Sequence, residues 1–258
     1  MLVRARTLTV AAMACTALSA CSGVVPVKNV ETDKLGYLAK SFSLPSVPSA
    51  VVGPIRAADD GTLPFQRMTF SMQPVFENIS GGNAPPAFHS TWTLINIGGP
   101  FVQFLDEQTS NGVQTRQDYG VSYRNLFMVR GQTLLLNRPN SSFVIEAKSL
   151  QSFTPFSING PSQGTLDYRY EWGNQAQLLN FTALSVSCTY GGRYPASRLH
   201  PGLLGEAQEV ICDHTNRNGV VADHSTRALL SHYGVAILIR NQTAAAVVSF
   251  KVQDFSIQ

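Results

Sequence analysis

After about residue 62 the apolar residues recur at every second position, and that period commits the body of the chain to β-strands. Met68, Phe70 and Met72 alternate with Thr69, Ser71 and Gln73, and Leu166, Tyr168, Tyr170 and Trp172 with Asp167, Arg169 and Glu171. Phe143, Ile145 and Ala147 oppose Glu146 and Lys148, while Val248, Phe250 and Val252 alternate with Ser249, Lys251 and Gln253. Successive side chains of a strand point to opposite faces, so each run describes a ribbon with one buried and one wet face. The last run changes parity at Phe255 and Ile257, which predicts a bulge near Gln253–Asp254.

Turn pairs punctuate these runs: Gly81-Gly82, Gly98-Gly99, Asn111-Gly112, Asn159-Gly160, Gly191-Gly192 and Asn218-Gly219. Long helical periods are missing. Short helical segments are predicted at 31–42, where Leu35, Leu38 and Phe42 recur, and at 226–232. Tyr119, Tyr123 and Phe127, four apart, fit one side of a further helical turn. Short strands and frequent turns predict an all-β body of two tandem antiparallel β-sandwich domains, 62–160 and 161–258. An internal echo supports the division. Asp106, Asn111, Gly112 and Val113 match Asp213, Asn218, Gly219 and Val220, and Arg124, Leu126 and Gly131 then match Arg227, Leu229 and Gly234.

The first 20 residues carry Arg4 and Arg6, an apolar stretch from Leu8 to about Leu18, then small residues, which is the pattern of an export signal. Leu18-Ser19-Ala20-Cys21 resembles the lipobox of bacterial lipoproteins. The resemblance covers only this leader, and no family is recognised for the mature domains. It implies cleavage before Cys21, diacylglyceryl and acyl groups on that cysteine, and attachment to a membrane. Ser22, where an aspartate would resemble an inner-membrane retention signal, favours the outer membrane, facing the periplasm or the cell surface. With Cys15 removed and Cys21 acylated, Cys188 and Cys212 remain, and in an oxidising compartment they are expected to form one disulfide. Residues 21–61, rich in Val, Pro, Ser and Ala with prolines at 26, 45, 48 and 54, read as a solvated tether.

Charge and motifs narrow the functions. Bases outnumber acids 19 to 16, and removal of Arg4 and Arg6 cuts the excess to a single charge, which offers nucleic acid little attraction. The densest polar group is Asp213-His214 with Asp223-His224, near Ser225. Such residues can form a nucleophilic relay or hold a metal, but only if they converge in space. Turns also favour Asp, Asn and His for backbone reasons. No HExxH, P-loop or dinucleotide fingerprint accompanies them. Arg193, Tyr194 and Arg198 lie between the two cysteines as candidate interface anchors.

The sequence therefore predicts a non-catalytic binding or envelope-assembly module without cofactor or bound metal, held to a membrane by lipid and partnered by an envelope protein. A periplasmic hydrolase or metal-dependent enzyme built on Asp213, His214, Asp223 and His224 is the alternative, and a carrier of an apolar ligand is a third.

Overall fold

The computed structural model describes residues 30, 32–77, 87–136, 142–156 and 165–258. Two helices, α1 (Lys34–Ser41) and α2 (Ser49–Ala58), precede twelve strands. These are β1 (Arg67–Glu77), β2 (His89–Asn96), β3 (Phe101–Ser110), β4 (Val113–Tyr123), β5 (Phe127–Leu135) and β6 (Ile145–Phe153). Then come β7 (Thr165–Asn174), β8 (Thr182–Pro195), β9 (Glu206–Thr215), β10 (Val221–Leu230), β11 (Val235–Thr243) and β12 (Val247–Ile257).

Each strand pairs antiparallel with its neighbours in sequence, and β12 returns to β1. The result is one closed barrel running through both halves of the chain, which corrects the expectation of two tandem sandwiches at 62–160 and 161–258. Alternation specifies a two-faced ribbon and is silent on whether that ribbon packs on a second sheet or curls until its edges meet. Here β1 and β12 pair from Met68–Ile257 to Glu77–Val247, so neither terminal strand is left as an open edge. Along that seam Ser71 opposes Asp254 and Met72 opposes Val252, leaving Gln253 as the bulged residue where the parity change predicted one.

The Asn111-Gly112 turn joins β3 to β4 with both residues at positive φ, 51° and 76°, as a two-residue hairpin of this twist requires. The later part of the internal echo fails in space: Arg124 sits in the β4–β5 turn, whereas Arg227 lies within β10. The helix predicted at 226–232 is likewise mostly strand. Leu229 and Leu230 point to opposite faces of β10, and each face is covered by a different apolar cluster. Tyr119 and Tyr123 are alternate residues of β4, and Phe127 opens β5, so their spacing reflects a hairpin.

The tether is the second correction. α1 forms within the predicted 31–42 segment, with the Asp33 carboxylate accepting from Gly36 N–H at 2.8 Å. The following prolines interrupt the helical path without unfolding it: Pro45 lies in a 3-10 turn, Pro48 precedes α2 and Pro54 lies inside α2. Leu38, Phe42, Val47, Val51 and Ile55 are buried among residues from every strand from β3 to β11. Residues 34–58 therefore plug the barrel. Tyr37 and Phe42 pack on Tyr119, and the Gln103 amide donates to the carbonyls of Leu38 and Phe42. Lys34 is bound by Glu107 and Gln114 beside the β3–β4 hairpin, while Asp59 ends α2 against Arg124 in the β4–β5 turn. The chain thus enters at the end carrying the β3–β4, β5–β6, β7–β8 and β9–β10 connections and leaves at the other. We call these the entry end and the exit end.

A second apolar cluster joins Met68, Phe70 and Met72 of β1 to Leu94, Val102, Ala228, Leu230 and Ile237. β3 and β10 contribute to both clusters through alternate residues. Pairing is sparsest between β5 and β6, which meet only through Arg130–Glu146 and Gly131–Ile145 among the described residues, and is next sparsest between β11 and β12.

Candidate functional site

A cavity of about 250 Å³ lies between β2, β3, β4 and the β10–β11 hairpin. Trp92, Leu94, Phe104, Leu126, Met128 and Leu238 make its wall mainly apolar. Strand pairing brings these residues together: Leu94 opposes Phe104, Trp92 opposes Asp106, Asp106 opposes Asp118 and Arg227 opposes Leu238. Gly120 leaves room for the Phe104 ring, because a Cβ there would lie 2.5 Å from that ring and 2.4 Å from the Arg130 carbonyl. At about 30 Å³ per water-sized group, the cavity has room for about eight.

Polar groups enter this wall at two places. Arg227 Nη1 donates to the Asn125 carbonyl at 2.9 Å, and no carboxylate of the described residues lies within ion-pair distance of it. Burial pulls its pKa down to about 10, opposed by Tyr168 and Asp223, so it remains a cation at neutral pH. On the strands opposite, burial pushes Asp106 up to about 6 against the hydrogen bonds of Ser90 and Gln108, and the neighbouring Asp118 charge raises it further. Asp118 is itself held by Arg116, at 2.7 and 2.9 Å, and by Thr133. The Trp92 indole N–H and the Tyr168 hydroxyl are buried with no hydrogen-bond partner among the described residues. Burial drives the Tyr168 pKa well above the ordinary tyrosine value. A half-buried cation in an apolar wall suits one chemical class best: a small molecule with an anionic head and a greasy body.

The histidine cluster sorts differently. β9 and β10 place Asp213 opposite His224 and Asp223 opposite His214, and adjacent residues of a strand face opposite ways. The four side chains therefore divide two and two across the sheet. His224 Nδ1 lies 2.6 Å from Asp213, while on the other face His214 Nε2 lies 2.9 Å from Ser225 Oγ and 3.8 Å from Asp223. No group of three or more His, Cys, Asp or Glu among the described residues is placed to hold a metal. A relay also lacks its geometry. Ser225 is buried, and Asp223 approaches the same ring nitrogen as the serine, whereas an orienting acid must hold the other one. Burial lowers the His214 pKa, opposed by Asp223.

Cys188 and Cys212 face each other across β8 and β9 and form the disulfide, with Cα atoms 4.0 Å apart. Both are core residues, so the bond staples two paired strands and does not close a free loop. Arg193 and Tyr194 belong to β8, where Arg193 Nε donates to Gln208 at 3.0 Å, and the Arg198 guanidinium lies 5.0 Å from the centre of the Tyr194 ring. These three residues share the exit end of the β8–β9 hairpin, away from the cavity. Cys21 lies outside the described residues.

No family model matches the chain, and no curated protein does. Among solved structures it is similar to a β-barrel-like protein of the domain of unknown function DUF1849 from Brucella abortus. That match has 8% identity and a TM-score of 0.40, and covers 75% of this chain and 98% of the other.

Proposed function

We propose that this chain is a non-catalytic binding module of the cell envelope, lipid-anchored through Cys21, whose barrel takes a small amphipathic anion into the cavity beside Arg227. The observation that carries this reading is Arg227 itself, a cation held by the Asn125 carbonyl with no counter-ion among the described residues, beside an apolar space of about 250 Å³. Removing a charge from water costs several kcal/mol unless a partner meets it, and an incoming carboxylate supplies that partner. The apolar wall then holds the rest of the ligand by burial.

Calorimetric titration with octanoate, using octanol as the uncharged control, tests the reading. The expected result is octanoate binding that Arg227→Met weakens at least about tenfold and Arg227→Lys weakens less, since a charge-assisted hydrogen bond is worth about 1.5–3 kcal/mol. Octanol should bind the parent and Arg227→Met alike. Equal binding of octanoate and octanol to the parent chain would refute the role of the cation.

A further inference from the structure

We infer that the entry end of the barrel is a membrane-facing surface whose hairpin tips dip into the headgroup layer of the bilayer that holds Cys21. The inference rests on the lipid-anchored reading above and goes beyond it by naming the face. Large apolar side chains that are left exposed gather at this end. Leu178 and Leu179, at the β7–β8 tip, are 83% and 75% exposed, Val113 at the β3–β4 tip 65%, and Phe143 before β6 59%. Val220 and Val221 extend the set at the β9–β10 tip, where Arg217 is also exposed. Because neighbouring strands run antiparallel, these four connections must lie at one end of the barrel. An apolar fringe with a cation among it matches the interfacial layer, where side chains bury about 5–10 Å deep and a base meets lipid phosphate. The exit end presents Leu204, Met128 and Ile257 as its exposed large apolar side chains.

The length of chain before the barrel selects the occupant. Val30 is already fully buried in the plugged cluster, and Lys34 is fixed to Glu107 and Gln114 beside the β3–β4 hairpin. From Cys21 to Val30 the extended chain reaches at most about 30 Å. Strands of ten or eleven residues, such as β3 and β4, span about 33–37 Å along their own axes, and at a barrel tilt of about 35–45° they rise about 23–30 Å between the two ends. The anchor could reach the far end only by running almost fully extended along the whole wall, whereas the entry end lies beside Lys34. The entry end is the near one.

The test uses the full lipidated chain in vesicles of phosphatidylethanolamine and phosphatidylglycerol with brominated acyl chains, which quench indole on contact. A tryptophan is added at the entry end, Leu179→Trp, or at the exit end, Leu204→Trp, and each is compared with the parent carrying only Trp92 and Trp172. Both positions are exposed, so the substitutions disturb no packing. The expected result is that the added emission at 179 falls about twofold while that at 204 changes little, as an interfacial depth of about 5–10 Å requires. Equal emission at both positions, with intact mass showing Cys21 acylated and the protein in the vesicle fraction, would overturn the membrane-facing end and leave the anchor standing. Quenching at 204 alone would do the same. A bare Cys21 with the protein outside the vesicle fraction would overturn both.

Discussion

Asp106 gives the sharpest test of the cavity wall, because a carboxylate is held there against its own preference. It sits on β3 opposite Asp118, and burial leads the causes that push its pKa from 3.8 to about 6. Between those two values the folded state binds a proton that the unfolded chain does not. The associated stability is therefore fully present below about pH 4, declines as pH rises through about 6, and is flat above. Two pKa units correspond to about 3 kcal/mol, and the residue's partial exposure reduces the expected figure to about 2 kcal/mol. In Asp106→Asn the side-chain oxygen still accepts from Ser90, while the ionisable group is gone. Urea unfolding of parent and variant at pH 4 and pH 8 reads the difference. The variant should match the parent at pH 4 and exceed it by about 2 kcal/mol at pH 8. A parent that is more stable at pH 8 than the variant, or an equal difference at both pH values, would refute the burial argument.

Other expectations follow from single contacts. Asp59 accepts from Arg124 at 2.6 and 2.8 Å and from Tyr123 at 2.7 Å, which hold its carboxyl below the ordinary range despite the opposing effect of burial. Asp59→Ala strands a buried guanidinium and should cost about 3–5 kcal/mol in denaturant melts. Gly120→Ala must displace the Phe104 ring or the Arg130 backbone, and is expected to cost about 1–3 kcal/mol and to weaken octanoate binding in calorimetry. Replacing Cys188 and Cys212 together by serine opens a crosslink spanning 24 residues and should lower stability by about 2–4 kcal/mol, measured by thermal melting without reductant. Arg130 and Lys148 both bind Glu146 at the sparse β5–β6 seam, so Glu146→Gln should speed amide exchange at 130–131 and 145–146 ahead of the rest of the barrel.

Local features of the fold were legible where one residue type has one physical use. Asn111-Gly112 marked a hairpin, the parity change at Phe255 located the bulge at Gln253, and Leu35, Leu38 and Phe42 marked α1. Closure was hidden, because the β1–β12 pairing joins residues almost the whole body apart and leaves no local trace. The plug was misread for a related reason. Proline-rich residues 43–54 lack a continuous helical period, yet once the barrel supplies a wall their apolar side chains are buried piecewise. Of the candidate chemistry, Cys188 and Cys212 paired as expected, while clustering in sequence misled at Asp213, His214, Asp223 and His224, since neighbours on a strand face apart. Trp92, Asp106 and Arg227 gave no signal as a set. They come from three strands, and only the register of the barrel assembles them.

Closure through the terminal strands bears on how the molecule matures. Gln258 accepts from the Gln66 and Arg67 amides and donates back to the Arg67 carbonyl, so the β1–β12 seam extends one step past the strand ends. Synthesis from the N terminus makes β1 long before β12, and until then its edge has no partner. Closure of this seam is therefore a late, long-range step of folding. Without β12, both β1 and β11 would be left as open edges.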